Sequence, residues 1–165
     1  MELKRRVLET VLCYVRDPAG RFLFMSRGKK ANDVHTGKYN APGGKLEPGE
    51  SPVDCMRREV FEETNLTVEA WQRLGFLAFP GFHDDPAGPI DESVHVFLVT
   101  KTSGELRVEG PEGDLEWIPP EKVMALPLWE GDRQFLPYVL ARKRFEGKLI
   151  YEKGKLVSWA IEETD

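Results

Sequence analysis

Two hydrophobic runs near the start of the chain predict a pair of β-strands. They cover residues 7–15 (VLETVLCYV) and 21–26 (RFLFMS), and the segment RDPAG between them has the residue types of a turn. The polar stretch that follows, residues 27–44, contains glycines and a proline and is predicted to be a loop. Loops of this length in a compact domain often carry function.

A helix is predicted at residues 52–64 by the residues at its ends and by its apolar spacing. Ser51 suits the N-cap, Pro52 suits the first helical position, and Asp54 stands three residues after the cap. Apolar residues recur at helical spacing at Val53, Met56 and Val60. The helix is expected to end at Asn65, because Asn tolerates the left-handed conformation of a helix C-terminus.

The remainder of the chain alternates strand patterns with two helical patterns. The predicted strands are residues 66–71, 74–79, 94–100 and 105–108, with a polar Pro/Gly loop at 80–92. The predicted helices are a short one within 116–129 and an amphipathic one at 132–146, and residues 148–162 are predicted to form a hairpin that turns at Lys153 and Gly154. This order of elements predicts a mixed α/β domain with helices packed on a mixed sheet.

Composition and charge narrow the classes of function. The chain of 165 residues fits a single domain over residues 1–165, and its hydrophobic fraction of 41% is ordinary for a globular protein. A net charge of −5 argues against binding to a nucleic acid polymer or a membrane surface, which would require a basic patch. The two cysteines, Cys13 and Cys55, form no disulfide or zinc pattern, so a reducing cytoplasm is the expected location. Neither a signal peptide nor a membrane span is predicted.

Three glutamates are crowded into the predicted helix. Glu59, Glu62 and Glu63 fall within two turns, where like charges three or four positions apart repel each other. They flank the apolar stripe, so their repulsion is screened less than on an open surface. A divalent cation would remove this penalty, and clustered carboxylates are how Mg²⁺ is usually held. The alternative is a solvated acidic helix face, which the three glutamates alone would favour.

The segment in front of the helix shifts this balance towards a metal site. It begins with Gly43 and Gly44, which allow a ligand or a metal ion to approach the backbone closely. A turn at residues 47–50 then brings a fourth carboxylate, Glu50, to the helix entrance. We therefore expect backbone carbonyls and carboxylates to converge where the loop meets the helix.

This stretch resembles the Nudix box of the Nudix hydrolases. Gly44, five residues, Glu50, seven residues and then REVFEETNL (58–66) match each fixed position except the last glycine, which is Asn65 here. Because the box has many fixed positions, chance is a poor explanation of the match. The resemblance implies a Nudix-type α/β/α sandwich with a mixed sheet between helices. It also implies hydrolysis of a nucleoside diphosphate linked to another group.

The resemblance further implies which residues do the chemistry. Nudix hydrolases use Mg²⁺ or Mn²⁺, which neutralises phosphate oxygens, positions a water molecule in line and lowers its pKa. The metal ligands implied here are Glu59, Glu62, Glu63 and the backbone carbonyl of Gly43. Arg58 is expected to orient the carboxylates. A glutamate outside the box acts as a base or an extra ligand in some members, and Glu112 is the candidate, although a solvated loop glutamate is equally consistent with its position.

Other segments resemble the MutT-like branch of this family, the oxidised-purine nucleoside triphosphatases. They are residues 37–45, 94–97 and 129–159. This resemblance implies cleavage of a nucleoside triphosphate to a nucleoside monophosphate and pyrophosphate, with 8-oxo-dGTP as the favoured substrate. The protein is expected to be a monomer or a homodimer. One alternative is another substrate, such as a dinucleoside polyphosphate, ADP-ribose or a nucleotide sugar. A second is a nucleotide-sensing module without catalysis, which would be expected to lack one or more box glutamates.

The same branch implies contacts to the nucleotide base. The candidates are Asn40, Trp129 and Asp132, since an amide and a carboxylate can hydrogen-bond a purine edge while an indole stacks on its face. Phe79 is a candidate wall of the pocket, although residues such as Phe79 and Trp129 are more often plain core. Asp132 is also typical of a helix start, near the positive end of the helix dipole. The candidate phosphate contacts are Arg27, Lys38 and Lys45.

Two positions depart from the branch pattern. The mammalian members carry paired aspartates where this chain has Gly131 and Asp132. A methionine that lines their base pocket corresponds to Glu92, which is far more polar. The histidines at 35, 83 and 95 have no spacing that indicates a zinc site or a catalytic triad, so no role is predicted for them.

Overall fold

The computed structural model describes residues 5–27, 37–110 and 112–165. The strands in this part of the chain are β1 (Val7–Val15), β2 (Phe22–Arg27), β3 (Lys38–Asn40), β4 (Gly43–Lys45), β5 (Thr67–His83), β6 (Ile90–Ser103), β7 (Asp114–Ile118), β8 (Phe145–Glu152) and β9 (Lys155–Glu163). The helices are α1 (Pro52–Thr64), α2 (Pro120–Val123) and α3 (Glu130–Leu140).

Two sheets form the centre of the domain. The larger has six strands in the order β4-β1-β6-β5-β8-β9, and the smaller has three in the order β3-β2-β7. Strand β1 runs parallel to β6 and β5 runs parallel to β8, whereas the other pairs are antiparallel. The larger sheet is therefore mixed, as the sequence predicted.

The side chains of β1 show why both faces of the sheet are covered by helices. Successive residues of a strand point to opposite faces. Cys13 packs in one buried cluster with Met56 of α1, whereas its neighbour Tyr14 packs in a second cluster with Phe135 of α3. The domain is thus an α/β/α sandwich, which confirms the expected fold class.

Helix α1 has the bounds and the caps predicted from the sequence. The Ser51 hydroxyl accepts a hydrogen bond from the backbone N–H of Asp54, and the Asp54 carboxylate accepts one from the backbone N–H of Ser51. Asn65 ends the helix in the left-handed conformation with a φ of 68°. These contacts fix the start and the end of α1 and so the positions of its glutamates.

Several predictions outside α1 were wrong in their boundaries. The predicted loop at 27–44 contains β3 and the start of β4, short strands that pairing with β2 and β1 stabilises; residues 28–36 lie outside the described part. The two strands predicted at 66–71 and 74–79 are one strand, β5, because bulges let it continue past the irregular positions. Most of the predicted loop at 80–92 belongs to the ends of β5 and β6.

Further errors lie near the C-terminus. Residues 105–108 do not form a strand, whereas 114–118 form β7 against β2. The helix predicted at 132–146 begins at Glu130 and ends at Leu140, because Arg142 adopts a φ of 57° that turns the chain into β8. The hairpin at Lys153 and Gly154 is confirmed, and both residues have positive φ values, as a two-residue turn of this kind requires. No helix in the described ranges is long and apolar enough to span a membrane.

Candidate functional site

Strand β4 lies directly against the acidic face of α1. The backbone N–H of Gly43 donates a hydrogen bond to Oε2 of Glu63 at 3.0 Å. At Gly44, an added Cβ would lie 2.5 Å from Cδ of Glu59, so a side chain at this position would displace that carboxylate. The two glycines therefore let two glutamates reach the backbone of the same short strand.

Arg58 donates hydrogen bonds to the carboxylates of Glu50, Glu59 and Glu62. Its Nε and Nη2 atoms donate to the two oxygens of Glu50 at 2.7 and 2.9 Å. Its Nη1 atom donates to Oε1 of Glu59 at 2.8 Å and to Oε2 of Glu62 at 3.2 Å. One guanidinium thus offsets part of the repulsion among the glutamates and restricts their directions.

The pKa values of these groups follow from their surroundings. The hydrogen bonds from Arg58 lower the pKa of Glu50 to about 2. Burial raises the pKa of Glu59 above its ordinary value, because the loss of hydration outweighs the hydrogen bond from Arg58. Of Glu50 and Glu59, Glu59 is therefore the residue whose ionised form is disfavoured by its surroundings. A nearby positive charge would favour that ionised form.

The donor chemistry at β4 fits Mg²⁺. Among the described residues, no three Asp, Glu, His or Cys side chains are already arranged around one metal position, and the Glu62 side chain is 56% exposed beside Arg58. However, Mg²⁺ in phosphoryl-transfer sites is commonly bound through one or two carboxylates, with water and substrate phosphates completing the shell. Glu59 and Glu63, which both reach the Gly43–Gly44 backbone, would be such a pair of oxygen ligands.

A cleft of about 610 Å³ begins at this acidic end and extends between the sheet and α3. It brings together most of the residues that the sequence analysis selected on separate segments. Those that line it are Gly43, Lys45, Glu63, Asn40, Phe79, Trp129 and Asp132. The cleft is large enough for a nucleotide-sized ligand, since small-molecule sites usually occupy about 300–1,000 Å³.

Asn40 gives the cleft an unpaired hydrogen-bond donor. Its Nδ2 atom is buried and has no hydrogen-bond partner among the described residues. Buried polar groups are nearly always hydrogen-bonded, so an orphaned amide in a cleft wall calls for a ligand or a water molecule. A ligand acceptor, such as a base carbonyl, would satisfy it.

Asp132 lies in the first turn of α3 and lines the cleft. Burial raises the pKa of its carboxyl group to about 7. The adjoining part of the cleft wall is aromatic. The hydroxyl of Tyr151 accepts a hydrogen bond from the N–H of Gly131 at 2.7 Å, and its ring stacks on that of Phe79, with ring centroids 6.3 Å apart. The Asp132 carboxyl group, which accepts a hydrogen bond when ionised and can donate one when protonated, therefore borders an apolar aromatic surface.

The other selected residues do not line the cleft. Lys38 stands over the ring of Trp129, 5.7 Å from its centroid. Glu112 is in the turn before β7, and the side chain of Arg27 lies outside the described part, although its backbone pairs with Lys38. Arg58, Glu59 and Glu62 belong to the acidic cluster of α1 but are not among the residues that line the cleft. The roles predicted for these residues stay predictions.

A polar cluster in the cleft wall was not predicted from the sequence. Nε2 of His83, to which no role was given, lies 2.8 Å from Oε1 of Glu92, and the hydroxyl of Thr10 donates to Oε2 of Glu92 at 3.4 Å. All three residues line the cleft. Thr10 was detectable, because alternation in β1 puts it on the same face as Leu12 and Tyr14. The meeting of His83 with Glu92 was not, because it depends on the pairing of β5 with β6 across the predicted loop.

Comparison with known proteins gives consistent matches. The NUDIX domain model matches residues 7–139. The oxidized purine nucleoside triphosphate hydrolase of Mus musculus is 27% identical over 139 residues, covering 84% of this chain and 86% of that protein. The protein of the same name from Danio rerio is 31% identical over 120 residues, covering 73% of this chain and 74% of that protein. The crystal structure of a MutT protein from Bacillus halodurans superposes with a TM-score of 0.80 at 28% identity, covering 94% of this chain and 97% of that one.

Proposed function

The chain belongs to the Nudix hydrolase family, and we propose that it cleaves nucleoside triphosphates to a nucleoside monophosphate and pyrophosphate. The proposed substrates are oxidised purine nucleotides, with 8-oxo-dGTP as the first candidate. The observation that carries this proposal is the single cleft that joins Glu63, at the Gly43 backbone, to Asn40 and Asp132. A triphosphate bound there would have its phosphates at the acidic end and its base beside the amide and the carboxyl group.

The relatives support the same substrate class. The mouse and zebrafish proteins are named as hydrolases of oxidised purine nucleoside triphosphates, and each aligns with more than two thirds of this chain. Their match reaches beyond the box, which by itself would be compatible with any nucleoside diphosphate derivative. The base-pocket candidates Asn40, Trp129 and Asp132 lie in segments that the box does not contain.

The metal requirement follows from the family, whose members generally use divalent ions. We propose that Glu59 and Glu63 hold Mg²⁺ or Mn²⁺ together with the carbonyl of Gly43, and that Glu62 contributes from the edge of the site. The ion would supply charge neutralisation of the phosphates and an acidified water molecule. Arg58 orients Glu59 through the 2.8 Å hydrogen bond and offsets part of the effect of burial on its pKa, while Glu112 stays the candidate base.

The remaining basic residues are proposed to contact the phosphates or to shape the base pocket. Lys45 lines the cleft directly after the two glycines, which suits contact with a phosphate oxygen near the metal. Lys38 lies over Trp129 and would help to hold the indole in place for stacking on a base. Arg27 is proposed to bind phosphate from the end of β2.

A product assay tests the proposal. The protein is incubated with Mg²⁺ and, separately, with 8-oxo-dGTP, dGTP, 8-oxo-dATP, ADP-ribose and a dinucleoside polyphosphate, and the products are separated by chromatography. We expect 8-oxo-dGTP to give 8-oxo-dGMP and pyrophosphate with the highest kcat/KM, and a chelator to abolish turnover. Release of inorganic phosphate would contradict the proposed cleavage position. A higher kcat/KM for ADP-ribose or the dinucleoside polyphosphate than for 8-oxo-dGTP would contradict the proposed substrate class. Binding of these nucleotides without turnover would favour a sensing module.

A further inference from the structure

The Glu92 carboxylate is fixed in the cleft wall with hydrogen-bonding capacity to spare. One of its oxygens is held by His83 at 2.8 Å and the other receives the weaker bond from Thr10 at 3.4 Å. The side chain is 20% exposed, and that exposure is into the cleft that Glu92 lines. An ionised carboxylate has about four acceptor positions, so two of them remain for a donor group on a ligand.

Glu92 and Asp132 line the same cleft, and aromatic side chains of its wall connect their two segments. Phe79 is the cross-strand partner of Glu92 and stacks on Tyr151, whose hydroxyl accepts the N–H of Gly131, the neighbour of Asp132. A flat base that lies on this surface would therefore turn one edge towards Asp132 and another towards Glu92. A ligand that satisfies both sides must present a hydrogen-bonding group towards Asp132 on one edge and a hydrogen-bond donor towards Glu92 on another.

Oxidation at C8 gives a purine the donor that Glu92 requires. In an ordinary purine, N7 is a hydrogen-bond acceptor, and its lone pair would face the carboxylate oxygens of Glu92 without a proton between them. In the 8-oxo form, N7 carries a hydrogen that can be donated. A site built to receive a donor rejects the analogue that lacks it strongly, because the buried acceptor is then left unpaired.

We propose that Glu92, positioned by His83 and Thr10, accepts a hydrogen bond from the N7–H group of an 8-oxopurine and thereby selects bases oxidised at C8. This inference rests on the proposed function and specifies it further. It extends to 8-oxoadenine, which carries the same N7–H group. It excludes 2-hydroxyadenine, whose oxidation leaves N7 as an acceptor.

Binding of nucleoside monophosphates tests this inference apart from catalysis. Dissociation constants are measured by calorimetry for 8-oxo-dGMP, dGMP and 8-bromo-dGMP, the last of which has a bulky C8 group but no N7–H. We expect the wild-type protein to bind 8-oxo-dGMP at least about tenfold more tightly than either of the others. Equal affinity for 8-bromo-dGMP and 8-oxo-dGMP would overturn the inference, because the site would then recognise bulk at C8.

Variants assign the selectivity to the carboxylate. Glu92→Gln keeps the shape but offers both a donor and an acceptor, so the preference for 8-oxo-dGMP over dGMP should fall about tenfold, mainly through tighter binding of dGMP. His83→Asn should reduce the preference in the same direction by loosening Glu92. Glu162→Gln, the same change on an exposed position of β9, should leave it unchanged. An unchanged preference in a folded Glu92→Gln variant would overturn the inference.

The outcomes separate this inference from the proposed function. If 8-oxo-dGTP is cleaved to 8-oxo-dGMP and pyrophosphate but the Glu92→Gln variant keeps the wild-type preference, only the role of Glu92 is wrong. If the monophosphates show the expected preference but no pyrophosphate is released, the proposed reaction is wrong and the recognition by Glu92 stands.

Discussion

The backbone N–H of Gly43 donates to Oε2 of Glu63 across 20 positions of the chain, and this bond joins β4 to α1. It places one carboxylate of the helix at the mouth of the cleft. Glu59 reaches the same strand from one turn earlier, where Gly44 leaves room for it. Two glycines and two glutamates thus form the contact on which the proposed chemistry depends.

Glu63→Gln should separate the charge of Glu63 from its structural role. The amide oxygen of Gln can still accept the Gly43 N–H, so we expect the melting temperature to change little. Turnover should fall at least about a hundredfold, because even outer-shell partners of metal ligands cost up to that much when they are changed. Turnover and binding of Mn²⁺ are to be measured together.

A matched control for this change is Glu69→Gln. Glu69 is exposed and accepts a hydrogen bond from Ser103 at 2.6 Å, outside the cleft. Its replacement should leave turnover at the wild-type level. Turnover near wild type in the Glu63→Gln variant would show that the metal site is assigned to the wrong residue.

Gly44→Ala should impair activity without unfolding the protein. The new Cβ would lie 2.5 Å from the Glu59 carboxylate, which is the movable end of a side chain, so the side chain shifts and the fold is retained. A displacement of about 1 Å at a reacting centre can cost about a hundredfold in rate, and we expect kcat/KM to fall by that order. Gly110→Ala is the control, since its Cβ would lie 3.4 Å from the backbone oxygen of Gly113, an ordinary contact distance. Equal kcat/KM values for the two variants would contradict the prediction.

Asp132 should introduce a pH dependence near neutrality. Burial raises the pKa of its carboxyl group from 3.8 to about 7, so the folded protein binds more protons than the unfolded chain between these values. Stability should therefore decrease as pH rises through this interval, and Asp132→Asn should abolish that decrease. The melting temperature and kcat/KM of both proteins are to be measured between about pH 4 and pH 8. Parallel curves for the two proteins would contradict the shifted pKa.

Asp132 is also expected to contribute to base selection. Asp132→Ala removes a hydrogen-bonding group at the cleft wall, so kcat/KM should fall more for 8-oxo-dGTP than for the other triphosphates of the panel. An equal loss across the panel would show that the carboxyl group does not read the base.

Glu50 should make the free energy of unfolding depend on pH in the acidic range. Its pKa is lowered from 4.5 to about 2 by Arg58, so its stabilising contribution is complete above about pH 4.5 and is lost as pH falls towards 2. The difference in free energy of unfolding between wild type and Glu50→Gln should shrink over this range. Denaturant titrations at several pH values measure it, and a constant difference would contradict the role given to Arg58.

The sequence by itself determined the bounds of α1 and the residue types that surround it. The capping box at Ser51 and Asp54, the apolar stripe and the left-handed Asn65 are local features, because each depends on contacts within a few residues. The same holds for the turn at Lys153 and Gly154. The family followed from this local pattern, since the box is continuous in the chain.

Only the tertiary structure decided which distant residues meet. The short strand β4 forms because β1 supplies its hydrogen-bond partners, and β5 continues through its bulges because β6 and β8 pair with it. The contact of His83 with Glu92 depends on the register of those long strands, which shifts between Phe79 and His83. Side-chain contacts between segments arise from packing, and for that reason the selective wall of the cleft emerged only when the strands were assembled.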